Sequence, residues 1–116
     1  TWTYAAGATA GQTLAAGVPL LALQGNGYAA RMSSAVLGAM GLEVLATTSP
    51  QAYEAAAIAL GIDAERRAHV RQLVRTAADE SPLFQAGPGA RRLEAVYERL
   101  WRWHQDGRVP TAAIVP

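Results

Sequence analysis

The residues best suited to chemistry lie in the segment from Tyr4 to Gln24, which reads YAAGATAGQTLAAGVPLLALQ. This pattern predicts a loop of small residues that opens a short helix, then a Gly-Val-Pro break and an apolar strand. Because Gly7, Ala8 and Ala10 have no bulky side chains, an anion can approach the backbone N–H groups where the helix dipole favours negative charge. A nucleotide-linked ligand is therefore the first hypothesis, and a helix start selected only for close packing is the alternative.

One charged side chain is a second candidate. Arg31 follows the glycine-rich loop at Gly25-Asn26-Gly27 and lies in the first turn of a predicted helix. Its guanidinium could hold the loop or an acidic partner, and an ordinary surface arginine is the alternative. No HxxxH, HExxH or paired-carboxylate pattern in the sequence supports a metal site or an acid–base dyad. We expect no metal and no cofactor.

The composition favours one folded core. The chain has 116 residues, 51% of them hydrophobic, and a net charge of +1. That charge argues against nucleic acid or an anionic membrane as the partner. The longest apolar run, Val18–Leu23, is far below the roughly 20 residues needed to span a bilayer. We therefore expect a soluble, cytoplasmic location.

Strand and helix signals alternate early in the chain, and helices follow. Predicted strands cover Val18–Leu23 and Leu42–Ala46. Predicted helices cover Ala8–Ala16, Tyr28–Met40, Pro50 to Gly61, Ala64 to about Ala78, and about Ala90 to Gln105. Ser49 and Asp63 are the expected N-caps of the third and fourth helices. Residues 81–89 are expected to form a loop, and residues 108–116 an irregular tail. This order predicts a helix-rich α/β fold with few parallel strands. It also predicts that residues 1–116 form a single partial domain, which is the second half of a doubly wound lobe.

The chain resembles a known family through short motifs that occur in order along its length. These are Tyr4-Ala5, Thr9, Leu14, Gly17-Val18-Pro19, Gly25, Ala29-x-Arg31, Gly41-Leu42, Tyr53-Glu54, Leu60, Ser81-Pro82-Leu83-Phe84, Leu93-Glu94, Tyr97, Trp101 and Gly107-Arg108-Val109-Pro110. In this order and spacing they resemble the C-terminal end of the catalytic region of the O-linked N-acetylglucosamine transferases and their Spindly-type O-fucosyltransferase relatives.

The resemblance implies a GT-B enzyme with two Rossmann-like lobes, of which this chain is the distal half of the second, donor-binding lobe. Such enzymes transfer a sugar from UDP-N-acetylglucosamine or GDP-fucose to Ser or Thr of proteins, without a required metal. Tetratricopeptide repeats usually precede the catalytic part. The nucleotide sugar is then a substrate, upstream regions bind the protein acceptor, and the isolated chain is expected to be inactive and to self-associate through uncovered surfaces.

The resemblance also implies roles for individual residues. Gly7, Ala8, Thr9 and Ala10 correspond to the loop and helix start that hold the donor diphosphate, and Arg31 to a possible support for the loop or donor. Gln12 stands where the family carries an acidic residue that binds ribose hydroxyls; an amide keeps a hydrogen bond there but loses its charge assistance. The resemblance assigns no catalytic residue. A non-catalytic structural or partner-binding domain that keeps the fold is the alternative function.

Overall fold

The computed structural model describes residues 4–108, so that the predicted tail over residues 108–116 lies outside the described part apart from Arg108. The chain divides into two compact units, here residues 4–84 and 85–108, and each is described by itself. The prediction of a single partial domain over residues 1–116 stays a prediction.

Four α-helices and a two-stranded sheet form the first unit. In chain order they are α1 (Ala8–Ala15), β1 (Ala22–Leu23), α2 (Met32–Ala39), β2 (Ala46–Thr47), α3 (Pro50–Ile62) and α4 (Ala64–Glu80). Short 3₁₀ turns cover Ala29–Arg31, Glu43–Leu45 and Pro82–Phe84. The helix-rich α/β composition predicted from the sequence is confirmed.

The two strands pair in parallel, with Ala22 opposite Ala46 and Leu23 opposite Thr47. Only the end of the predicted strand Val18–Leu23 joins this ladder. The predicted strand Leu42–Ala46 is wrong over most of its length, because Glu43–Leu45 forms a 3₁₀ turn. That turn places Leu42 and Leu45, three residues apart, together in the core, which an alternating strand would not do.

Two side chains cap the helices that follow the sheet, as predicted. The Ser49 Oγ accepts a hydrogen bond from the Ala52 N–H at 3.2 Å, and an Asp63 carboxylate oxygen accepts one from the Arg66 N–H at 2.9 Å. The prediction that α3 ends at Gly61 is wrong by one residue. Arg67 donates through Nη1 to the Leu60 and Gly61 carbonyls at 2.9 and 2.7 Å. Its side chain therefore provides hydrogen bonds to carbonyls in the last turn of α3, which lack intrahelical donors.

The core of the first unit lies between the helices and the sheet. Its buried members are Leu14, Ala22, Leu37, Met40, Leu42, Leu45, Val70 and Val74. Leu14, Leu37 and Val74 are fully buried and come from α1, α2 and α4. On α4, Leu73 is 41% exposed, whereas Val70 and Val74 of the same helix are buried. The short ladder is thus held by the helices around it, since a two-stranded sheet is marginal alone.

The second unit contains α5, which covers Ala86–Gln105. The loop predicted at Gly87-Pro88-Gly89 is wrong, because Pro88 falls in the first helical turn, where its missing N–H costs no intrahelical hydrogen bond. Three large apolar side chains at i, i+4 and i+8, Leu93, Tyr97 and Trp101, are 51%, 61% and 59% exposed.

Two hydrogen bonds tie the loop before α1 to the start of α2. The Ser33 hydroxyl, on a side chain only 4% exposed, donates to the Ala6 carbonyl at 2.7 Å. The Ala5 N–H donates to the Ala29 carbonyl at 3.1 Å. The starts of α1 and α2 therefore lie side by side.

The loop after β1 closes on itself at a glycine. The Gly25 N–H donates to the Ala30 carbonyl at 3.1 Å. A Cβ at Gly25 would lie 2.6 Å from the Ala30 Cβ, a separation that side chains do not adopt. Glycine at this position lets the loop return tightly enough to start α2 beside the end of β1.

We expect Gly25→Ala to lower the free energy of unfolding by about 1–3 kcal/mol, the usual cost of overpacking. Gly27→Ala is the matched control, because a Cβ at Gly27 would meet nothing within 4 Å, and we expect it to stay within about 0.5 kcal/mol of the unmodified protein. Urea unfolding followed by circular dichroism measures both. Equal midpoints for the two variants would contradict the close approach at Gly25.

We expect Ser33→Ala to cost about 1–3 kcal/mol of stability, because the Ala6 carbonyl loses its donor. In Ser34→Ala, the hydroxyl that is lost donates to the Arg31 carbonyl only three residues away, so the loop before α1 keeps its tie to α2. Amide hydrogen exchange distinguishes the two variants: exchange at Ala5 should accelerate in Ser33→Ala and not in Ser34→Ala. Unchanged exchange at Ala5 in both variants would show that Ser33 does not fix the loop.

Candidate functional site

The start of α1 presents two backbone N–H groups that have no acceptor in the described part of the chain. Gly7 is the N-cap and its residue type offers no side-chain cap. The N–H groups of Ala10 and Gly11 donate to the Gly7 carbonyl at 3.0 and 3.4 Å. Within residues 4–108, no acceptor contacts the N–H of Ala8 or Thr9. These two groups, at the positive end of the helix dipole, can bind an anion.

A cavity of about 550 Å³ opens beside this helix start. It is lined by Ala5, Ala6, Thr9, Leu20, Leu21, Ala22, Leu23, Ser33 and Tyr53. The wall is mostly apolar, with three hydroxyl-bearing side chains, and the Ser33 hydroxyl is already engaged with Ala6. A cavity of mainly apolar lining with few convergent polar groups is typical of small-molecule sites.

The structure separates the predicted diphosphate residues into two kinds. Ala8 and Thr9 are exposed, and Thr9 lines the cavity. Ala10 is fully buried, and its N–H is used by Gly7. Gly7 is half-buried, and a Cβ built on it would lie 3.8 Å from the Met32 Cε. A Cβ at Gly7 would thus make only an ordinary van der Waals contact. The small, fully buried side chain of Ala10 lets α1 approach its neighbours, while Ala8 and Thr9 provide the open donors.

The two remaining predicted residues, Gln12 and Arg31, are exposed and do not line the cavity beside Thr9. Gln12 lies on α1, one turn after Ala8. Arg31 borders a separate depression of about 400 Å³, together with Gln24, Tyr28, Met32, Ser34 and Ala35. Met32 lies close to Gly7 and also lines this depression. Arg31 therefore lies near the loop before α1 but does not line the cavity beside Thr9.

Of the three hydroxyl-bearing residues that line the cavity, Ser33 and Tyr53 were not predicted from the sequence as site residues. Ser33 lies on the buried side of α2, and Tyr53 comes from α3, about forty residues from the loop. A serine among apolar helix residues could have signalled a buried hydroxyl with a specific acceptor. Nothing in the local sequence around Tyr53 shows that it lines the same cavity as Leu20 and Leu21, the two residues before β1. Its position there depends on how α3 packs.

Residues 4–108 contain no cluster of three or more His, Asp or Glu side chains placed to bind a metal ion. No helix in the same residues has the length and apolar character needed to cross a membrane.

The sequence is similar to known glycosyltransferases along most of its length. The profile of glycosyl transferase family 41 matches residues 4–93. A tomato (Solanum lycopersicum) protein named probable UDP-N-acetylglucosamine–peptide N-acetylglucosaminyltransferase SPINDLY is 31% identical over 111 residues, 96% of this chain and 12% of its own length. The Petunia hybrida protein of the same name is 30% identical over 111 residues, with the same coverage. A UDP-N-acetylglucosamine–peptide N-acetylglucosaminyltransferase of Caenorhabditis elegans is 28% identical over 91 residues, 78% of this chain and 8% of its own.

This chain thus spans about an eighth of the length of its plant relatives. The match nonetheless begins at the loop before α1 and runs through all of the first unit into α5. With a family profile matched over most of its residues, the chain belongs to glycosyl transferase family 41.

Proposed function

We propose that this chain is the donor-binding portion of a protein O-glycosyltransferase that transfers N-acetylglucosamine or fucose to Ser or Thr. The observation that carries the proposal is the open start of α1, where the N–H groups of Ala8 and Thr9 have no acceptor within the described residues. The names of the relatives support a nucleotide-sugar donor and a peptide acceptor. In a GT-B enzyme this edge would face the cleft between the two lobes.

The proposed chemistry is electrostatic. Transfer of the sugar leaves a nucleoside diphosphate on which negative charge grows, and fixed donors aimed at that charge stabilise the transition state. The N–H groups of Ala8 and Thr9 and the Thr9 hydroxyl supply such donors. The buried Ala10 lets the helix start pack close to its neighbours, Gly7 leaves the approach to these donors open, and Gln12 has the proposed role of hydrogen-bonding ribose hydroxyls. Arg31 supports the neighbouring loop.

The remaining functions lie outside this chain in the proposal. Any proton acceptor and the residues that select the protein acceptor belong to upstream regions, which in this family usually carry tetratricopeptide repeats. The isolated chain is therefore expected to be inactive. The donor is a UDP- or GDP-linked sugar bound as a substrate, with no cofactor, in a cytoplasmic enzyme.

Nucleotide titration of the natural full-length protein tests the donor site. By calorimetry, we expect UDP or GDP to bind at submillimolar concentration, and Thr9→Trp to weaken that binding at least about tenfold by covering the two open N–H groups. Ala15→Trp is the control, because Ala15 is also exposed on α1 but lies at its other end. Failure of both nucleotides to bind at millimolar concentration would contradict the proposal and favour the non-catalytic alternative.

The role of Gln12 is tested by restoring the charge. We expect Gln12→Asp to tighten nucleotide binding about fivefold, because a carboxylate accepts stronger hydrogen bonds from hydroxyls than an amide does. Gln12→Ala should weaken binding by a similar factor. The gain in Gln12→Asp should disappear with a nucleotide that lacks ribose hydroxyls. A gain that persists with the deoxy nucleotide would place Gln12 away from the ribose.

A further inference from the structure

The depression that Arg31 borders, of about 400 Å³, lies at the carboxyl end of β1. Gln24, the first residue after this strand, lines the depression together with Tyr28 and Arg31. Met32 lines it as well and lies close to Gly7, the N-cap of α1. Ligands of α/β folds bind in the crevice outside the carboxyl ends of the parallel strands. The depression is therefore next to the proposed donor site, on the side from which a second substrate would approach.

The side chain of Arg31 carries a charge that the described part of the fold does not use. Arg31 is the only charged residue among the first 42 of the sequence. Its backbone supports the loop, because its N–H donates to the Tyr28 carbonyl at 3.1 Å and its carbonyl accepts from the Ser34 hydroxyl at 3.0 Å. Its guanidinium forms no ion pair or hydrogen bond with residues 4–108. The positive charge thus remains available to a ligand.

The lining of the depression is rich in hydrogen-bond donors. The Gln24 amide, the Tyr28 hydroxyl and the Arg31 guanidinium can all donate, and all three side chains are exposed. None of the described residues that line the depression is acidic. An ionised carboxylate only accepts hydrogen bonds and can accept two in parallel from an arginine. A carboxylate is therefore the group that this set of donors fits.

Arg31 and the open N–H groups of α1 serve separate hollows. Arg31 does not line the cavity beside Thr9, and Thr9 does not line the depression. In the proposed function the donor diphosphate binds at Ala8 and Thr9, and the transferred sugar, N-acetylglucosamine or fucose, is uncharged. The anionic group that suits Arg31 then belongs to the other substrate, which is the protein acceptor.

We propose that Arg31, with Gln24 and Tyr28, binds an acidic side chain of the protein acceptor, an Asp or Glu close to the Ser or Thr that receives the sugar. Arg31 supplies the positive charge, and the other two residues supply further donors. This inference rests on the proposed function. It adds one contact from this chain to those of the upstream regions, and it makes Arg31 a residue that determines specificity for the acceptor.

Synthetic peptides test the inference with the natural full-length protein. Each peptide has one central Ser or Thr and carries Glu, Gln or Lys at one flanking position in turn. With UDP-N-acetylglucosamine or GDP-fucose as donor, we expect Glu at one such position to raise kcat/KM at least about threefold over Gln. Arg31→Glu should reverse the preference at that position, so that Lys is favoured over Glu. Arg66→Glu is the matched control, because Arg66 is exposed on α4 and does not line the depression, and it should keep the preference for Glu.

The contrary outcomes separate the other possible roles of Arg31. A Glu preference that Arg31→Glu leaves unchanged would overturn the inference, because the acidic residue would then bind elsewhere. So would an Arg31→Glu variant that binds UDP or GDP more weakly with unchanged peptide preference, which would assign Arg31 to the donor. A lower melting temperature than that of Arg66→Glu, again with unchanged preference, would assign Arg31 to a carboxylate of the protein itself. Transfer with no preference for Glu would contradict this inference alone, whereas absence of transfer to every peptide would contradict the proposed function as well.

Discussion

The parallel pairing of Ala22–Leu23 with Ala46–Thr47 is the constraint on which the rest of the first unit depends. Parallel strands cannot be joined by a tight turn, so the chain must cross the sheet through α2 and return. This crossover places the start of α2 at the end of β1, where Ser33 reaches the Ala6 carbonyl. The loop before α1 is therefore fixed by the same connection that builds the sheet.

Small residues around the start of α1 serve both close packing and the exposure of backbone N–H groups. The packing interpretation and the anion-binding interpretation of these residues are therefore compatible. Gly25 and Ala10 permit close packing, since one faces the Ala30 Cβ and the other is fully buried. The small residues at Gly7 and Ala8 leave the N–H groups of Ala8 and Thr9 without an acceptor among residues 4–108. Packing thus fixes the position of α1, and the position of α1 determines which donors remain available to an anion.

The sequence predicts most reliably what is decided locally. The caps at Ser49 and Asp63 depend on a side chain and an N–H three residues later, and both predictions are confirmed. Strand limits depend on pairing partners, and Leu42–Ala46 was wrong because Leu42 and Leu45 turn into the core. In the candidate site, Thr9 was identified from the loop, whereas Tyr53 reaches the same cavity only through tertiary packing.

If this edge binds a donor, its own residues favour the parts that UDP- and GDP-linked sugars share. In the proposed site, the backbone N–H groups of Ala8 and Thr9 would contact phosphate and Gln12 would contact ribose, so neither would distinguish one base from the other. None of the described side chains that line the cavity beside Thr9 carries a charge, and recognition of a base or sugar requires specific polar groups in fixed positions. The described residues of this cavity supply only the hydroxyls of Thr9, Ser33 and Tyr53 as polar side-chain groups, and that of Ser33 is already engaged with Ala6.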